Sequence, residues 1–185
     1  MSRDAVIGAG SWGTAVSCLV AQNADEVVLW SHGQGSADAI NQTHHNPRYL
    51  ADVELPANVH ATGDLAGAAL GCSAVVLAAP STHLRNISHE LAESLGPDVP
   101  VLVLTKGIEA GTGLLMSEVA AAELDGEQRV AALSGPNHAE EVGRGMISAC
   151  VIASHDTEVA EAVRELVIDR SFRAYISDDV VGVEV

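Results

Sequence analysis

Val6-Ile7-Gly8-Ala9-Gly10-Ser11-Trp12-Gly13-Thr14-Ala15 is the stretch that decides the fold of this 185-residue chain. The apolar, β-type residues before Gly8 read as a strand, the glycines as a tight turn, and residues 11–22 as a helix with Ala15, Cys18 and Leu19 on one face. In such a unit Gly8 lets the chain turn sharply. Gly10 lets a pyrophosphate approach the backbone without meeting a Cβ, and Gly13 lets the helix pack close to the strand. Free N–H groups at the helix start then face the phosphates. A bare G-x-G-x-x-G spacing says little in a chain with 17 glycines, but a strand before it and a helix after it make it a dinucleotide-binding turn.

Outward from this turn, strand-like and helix-like runs alternate, the pattern of a Rossmann-like, doubly wound α/β fold with a mostly parallel sheet of about eight strands. Strands are expected at residues 5–8, 26–31, 59–62, 74–78, 101–105, 129–134, 147–153 and 172–176. Helices are expected at 11–22, 36–43, 64–69, 82–95, 114–124, 137–142 and 156–168. Pro47, Pro56, Pro80, Pro97, Pro100 and Pro136 fall between these elements or at a helix start, where a missing N–H is tolerated. The longest irregular stretch is 46–58 (NPRYLADVELPAN), which reads equally well as a cover over a site and as a crossover that merely packs.

Composition sets the outer limits. A chain of this length forms one domain, here 1–185, and 48% hydrophobic with 3% aromatic residues implies a core of Val, Leu, Ile and Ala suited to buried parallel strands. The net charge of −16 argues against a nucleic-acid partner, which needs clustered Lys and Arg. It also means that an anionic cofactor must be held by local donors. Cys18, Cys72 and Cys150 are odd in number, far apart and without a C-x-x-C, so they predict core thiols in a reducing compartment, with neither a disulfide framework nor a metal site. With no leader-like segment and no apolar run of membrane-spanning length, the cytoplasm is the expected location and no membrane is expected as partner.

Three further places carry chemistry. At the end of the second strand, Leu29-Trp30-Ser31-His32-Gly33 offers a hydroxyl and an imidazole where a NAD-specific fold places the acid that binds the ribose 2′-hydroxyl. His32 is therefore the candidate for the adenosine ribose, and both NAD and NADP fit. Leu104-Thr105-Lys106-Gly107-Ile108-Glu109 ends a strongly apolar strand with the sole lysine of the chain, at the sheet edge where open α/β folds bind ligands. Its ammonium can hold a phosphate or hydrogen-bond a carbonyl. In Leu133-Ser134-Gly135-Pro136-Asn137-His138-Ala139-Glu140-Glu141 another strand ends in a glycine turn, with Asn137 placed to cap the next helix and present a second cluster of N–H groups.

Together these residues resemble the N-terminal domain of the bacterial NAD(P)-dependent glycerol-3-phosphate dehydrogenase family. The likeness rests on GAGSWGTA at 8–15, NPRYL at 46–50, LPAN at 55–58, TKGIE at 105–109, LSGPNHAEEV at 133–142 and FRAYISDDVVGVE at 172–184, in order along the chain. It implies interconversion of sn-glycerol 3-phosphate and dihydroxyacetone phosphate for glycerophospholipid synthesis. By matching position it implies cofactor contacts at Gly8, Gly10, Ser11, Trp12, Gly13, His32, Lys106 and Ala139, and substrate contacts at Lys106, Gly135 and Asn137, a position often Ser in the family. In the family the segment at Gly182–Val185 leads into a Gly-Ala-Leu-Lys-Asn motif carrying the general acid/base lysine and then into an all-helical domain; neither lies within 1–185. Lys106 is then an auxiliary catalytic group, and this length of chain is expected to hold cofactor without normal turnover. Val180, Val181 and Val183 are expected to be exposed apolar surface, which leaves a homodimer open. Two other readings remain at this point: another hydroxyacid or ketone dehydrogenase of the same fold, and a non-catalytic nucleotide-binding module.

Overall fold

A computed structural model describes residues 2–185. The chain begins β1 (Arg3–Ile7), α1 (Ser11–Val20), β2 (Glu26–Trp30), α2 (Gln34–Thr43) and β3 (Val59–Thr62). It continues α3 (Leu65–Ala69), β4 (Ala74–Leu77), α4 (Ser81–Ala92), β5 (Val101–Val103) and α5 (Met116–Leu124). The last third is β6 (Val130–Ser134), α6 (Ala139–Gly143), β7 (Ser148–Ser154), α7 (Thr157–Val167), β8 (Phe172–Ser177) and α8 (Val180–Glu184).

One sheet of eight strands runs in the order β3-β2-β1-β4-β5-β6-β7-β8. The connections wind one way from β1 to β3 and the other way from β4 onward. The C-terminal ends of β1 and β4 therefore flank the switch point, where open α/β sheets leave a crevice for ligands. Successive strand residues alternate between the two faces: Val6, Leu29, Val76, Leu102 and Ala131 pack under α1, α2, α6 and α7, while Ile7, Trp30, Val75, Val101 and Val130 pack under α3, α4 and α5. A strand buried on both faces has no polar side to spare, which is why these runs read as continuously apolar.

The predicted strands and helices all exist within a few residues of their expected limits, and two features differ. β7 pairs antiparallel with β6, and β8 runs parallel to β7, so the last two strands are reversed relative to the rest. The second difference is α8, which the sequence did not announce. Asp179 accepts a hydrogen bond from Gly182 N (2.9 Å) to start it, and Val180 and Val183 pack on Ala132 and Ala153. Of the three valines expected at the surface, Val180 is thus buried and Val183 half-buried; Val181 remains exposed.

Arginines bind helix ends. Arg3 donates to the carbonyls of Gly67, Ala68 and Leu70 around the end of α3. Arg129 donates to Leu124 O (2.5 Å) at the end of α5 and to Gly96 O (2.6 Å), where helix-terminal carbonyls and their dipole favour a cation. No helix among the described residues is long and apolar enough to cross a membrane.

Candidate functional site

The first glycine turn is locked by backbone contacts that leave no room for side chains. Gly8 has φ +120°, a region L side chains rarely adopt, and a Cβ there would lie 2.7 Å from Ala78 O at the end of β4. A Cβ on Gly13 would lie 1.7 Å from Gly8 O, so α1 meets the turn at a distance only glycine permits. Gly10 is different: a Cβ there meets nothing within 4 Å. It forms the N-cap of α1 in extended conformation (φ −79°, ψ −173°), and no side chain caps the helix. The amides of Gly10, Ser11, Trp12 and Gly13 have no acceptor among the described residues. Open space above Gly10 and four unpaired amides at a ten-residue helix start fit a diphosphate.

The stretch 46–58 packs beneath this turn, and does so through a buried amide. Asn46 Nδ2 donates to Ala9 O (2.9 Å) and to Thr14 Oγ1 (2.8 Å). Its Oδ1 accepts from Arg48 N (3.2 Å) and Tyr49 N (3.3 Å). Farther along, Asp52 pairs with Arg144 (2.6 Å), which holds the Asp52 carboxyl below its usual range. Leu50 and Val53 reach Gly143 at the end of α6. Sequence reasoning had no residue-level signal for Asn46, because N-P reads as an ordinary turn dipeptide.

His32 is exposed just past β2, its ring edge-on to Trp30 at 6.1 Å between centroids. Gly8 N donates to Trp30 O (3.1 Å), so the ends of β1 and β2 lie side by side and His32 stands on the rim of the glycine turn. Ser11 and Trp12 are half-buried in the first turn of α1, with Trp12 packed on the core.

A row of contacts then leads along the sheet edge. From Ala78, against Gly8, the chain passes to Ala79, whose carbonyl accepts from Thr105 Oγ1 (2.7 Å). Beside Thr105, the exposed Lys106 reaches across to the second glycine turn, Nζ donating to Gly135 O (3.0 Å). The structure thus joins Lys106 and Gly135, residues 29 apart in sequence. The loop after Lys106 is clamped from behind: Arg85 of α4 binds Glu109 with two bonds (2.8 and 2.6 Å) and also pairs with Glu123 of α5. That guanidinium, with Thr112, holds the Glu109 carboxyl down to about 2.

The second turn departs from expectation. Asn137 caps no helix: α6 starts at Ala139 after His138, without a side-chain cap, and spans five residues. Asn137 Nδ2 instead lies buried and without a partner, near enough to Gly135 that a Cβ there would sit 2.8 Å away. The amide lies against Gly135 in its own turn, where a Cβ on Gly135 would also meet Ala149 O and Cys150 Cα at 3.1 Å. Ala139 is buried at the start of α6, which packs on α1.

Burial pushes the thiols of Cys18 and Cys72 up to about 11 and that of Cys150 to about 12, which removes them as nucleophiles near neutral pH. No group of three or more His, Cys, Asp or Glu residues among the described residues is placed to hold a metal ion.

Comparison with known proteins agrees with this fold. The family model described as NAD-dependent glycerol-3-phosphate dehydrogenase N-terminus matches residues 4–160. The chain belongs to that family. It is 44% identical over its whole length to a glycerol-3-phosphate dehydrogenase [NAD(P)+] of Corynebacterium urealyticum and 38% identical to one of Bacillus pumilus, covering 56% and 54% of those proteins. The crystal structure of glycerol-3-phosphate dehydrogenase from Coxiella burnetii superposes with a TM-score of 0.90 at 30% identity, covering 99% of this chain and 56% of that one. The chain therefore spans about half the length of the glycerol-3-phosphate dehydrogenases that it matches.

Proposed function

We propose that this chain is the nucleotide-binding half of a glycerol-3-phosphate dehydrogenase, interconverting sn-glycerol 3-phosphate and dihydroxyacetone phosphate with NAD or NADP to supply glycerophospholipid synthesis. The observation that carries this reading is the row at the sheet edge, from the unpaired amides of residues 10–13 to the Lys106–Gly135 bond. A bound nicotinamide supplies hydride exchange at a ring carbon. The chain's own residues do the rest. Amides 10–13 hold the diphosphate, His32 stands by the adenosine ribose, and Trp12, Ala139 and the second turn line the path toward Lys106.

Lys106 is the cation that stands on the row between the two turns. Arg3, Arg85, Arg129, Arg144 and Arg164 are each engaged with carboxylates or backbone carbonyls. The Lys106 ammonium, held on Gly135 O, can turn one of its remaining hydrogens to a phosphate or to the substrate oxygen that gains negative charge as the carbonyl is reduced. Gly135 lies beside it through its carbonyl, and Asn137, whose amide is buried against Gly135, belongs to the same turn. In this reading Lys106 orients and stabilises while another group transfers the proton. The setting is cytoplasmic.

Parallel calorimetric titrations with NADH and NADPH test the binding half of the proposal. Saturable binding of either, weakened by Lys106→Ala and weakened further when dihydroxyacetone phosphate is also present, is the expected result. No binding of either would sink the proposal, and normal steady-state turnover by the chain alone would remove the auxiliary role of Lys106.

A further inference from the structure

We propose that Asn46 is a positioning residue that sets the first glycine turn for phosphate binding; this rests on the dinucleotide reading of that turn. The argument starts from the peptide between Ala9 and Gly10. In a trans peptide the carbonyl and the N–H point in opposite directions. Asn46 Nδ2 holds Ala9 O from beneath at 2.9 Å, so the Gly10 N–H is turned outward, to the side where Gly10 has open space. The same nitrogen donates to Thr14 Oγ1 at 2.8 Å. One amide group thereby ties the turn before α1 to the first turn of the helix itself.

The side chain has little freedom to do otherwise. Its oxygen accepts from two backbone amides, Arg48 N and Tyr49 N, which fixes the NH₂ group toward the glycine turn. The residue is 1% exposed, so water cannot replace these bonds. Aspartate could not donate to Ala9 O, and glutamine is one methylene too long for the same four contacts. The rest of the stretch extends the support, because Leu50, Val53 and Asp52 rest on the end of α6, which packs on α1. To the two readings of residues 46–58, a cover over a site and a crossover that packs, these bonds add a third role: the stretch props the turn from below.

The test uses the 185-residue chain with Asn46→Ala, Asn46→Asp and the milder Thr14→Val, each titrated with NADH and with ADP-ribose well below its thermal midpoint. The Gly10 amide resonance is followed in parallel without ligand. Asn46→Ala is expected to bind both ligands roughly tenfold more weakly. Asn46→Asp is expected to be weaker still, since its carboxylate adds negative charge near the phosphates. Thr14→Val, which leaves the bond to Ala9 intact, is expected to lose about two- to threefold, with Thr14→Ser close to wild type. The Gly10 resonance is expected to move in both Asn46 variants. A residue that only stabilised the fold would lower the melting temperature and leave the affinity of the folded chain unchanged, and that result overturns the inference. Should the Asn46 variants fail to fold, wild-type affinity and an unmoved Gly10 resonance in Thr14→Val overturn it. Failure of the wild-type chain to bind either ligand would instead remove the dinucleotide reading; the Gly10 resonance then still decides whether Asn46 sets the turn, and an unmoved signal overturns that.

Discussion

The two glycine turns at the sheet edge share a plan and differ in how they are held. Residues 8–13 and 134–139 each lead from a strand into a helix. The first is interlocked backbone on backbone, propped by a buried amide, and opens into a ten-residue helix whose first amides are unpaired. The second opens into a five-residue helix, carries an unpartnered Asn137 amide, and is held across the edge by the exposed Lys106. A rigid turn suits a part of a ligand that is always bound the same way. A turn held by a side chain can respond to whatever draws that side chain away. In the proposed function this difference matches the diphosphate to the first turn and the reacting end to the second.

The strongest challenge to this contrast is Gly13→Ala. A Cβ 1.7 Å from Gly8 O cannot be relieved by a rotamer change, so α1 must shift, with an expected loss of more than about 3 kcal/mol in denaturant unfolding and no measurable NADH binding. Gly10→Val separates packing from binding at the same turn. Its extended conformation accepts valine and its surroundings are open, so stability is expected to stay within about 1 kcal/mol while NADH affinity falls roughly a hundredfold. A stable Gly10→Val chain with wild-type affinity would break the assignment of the first turn. At the second turn Gly135→Ala meets Asn137 Nδ2 at 2.8 Å and two backbone atoms at 3.1 Å, with an expected cost of about 1–2 kcal/mol by thermal melting. A cost matching that of Gly13→Ala would erase the contrast.

The smallest effect concerns acid. Glu109 has its pKa held down to about 2 from an ordinary 4.5, first by Arg85 and then by Thr112. A depressed carboxylate contributes in full above its unfolded value, and the contribution is lost as pH falls from 4.5 toward 2. Amide exchange in residues 106–115 is expected to rise in that window while the bonded amides that frame the first turn, Gly8 and Thr14, keep their protection, and Glu109→Gln should flatten the pH dependence of the loop. Equal acid response in this loop, which carries Lys106, and at the first turn would contradict the different ways in which the two ends of the row are held.

Much of this was legible in sequence for a physical reason. Strands buried on both faces must be apolar throughout, so Val101–Val103 or Ala74–Leu77 announce themselves. The reversal of β7 left no such mark, because an apolar strand has the same composition in either direction. The last helix, rich in valine, has low intrinsic helix preference and exists through its Asp179 cap and its packing on Ala132 and Ala153. At the site, Gly8, Gly10, Gly13 and Lys106 could be singled out because local spacing or rarity marks them. Asn46 and the Arg85–Glu109 clamp could not, since their partners lie 37 and 24 residues away and only the fold brings them together. Asn137 misled because capping preference describes a local bond, and here the helix starts two residues later, after His138, with the Asn137 amide lying against Gly135.

Lys106 has one more consequence, in the domain of labelling chemistry. As the chain's only lysine, it carries the single ε-amino group. It is exposed and bonded only to a carbonyl oxygen. An amine-acylating reagent therefore has one side-chain amine to modify, and peptide mapping by mass spectrometry, which separates it from the N-terminal amine, reads the occupancy of the sheet edge. Few proteins come with such a reporter already installed at the spot where the ligand is expected.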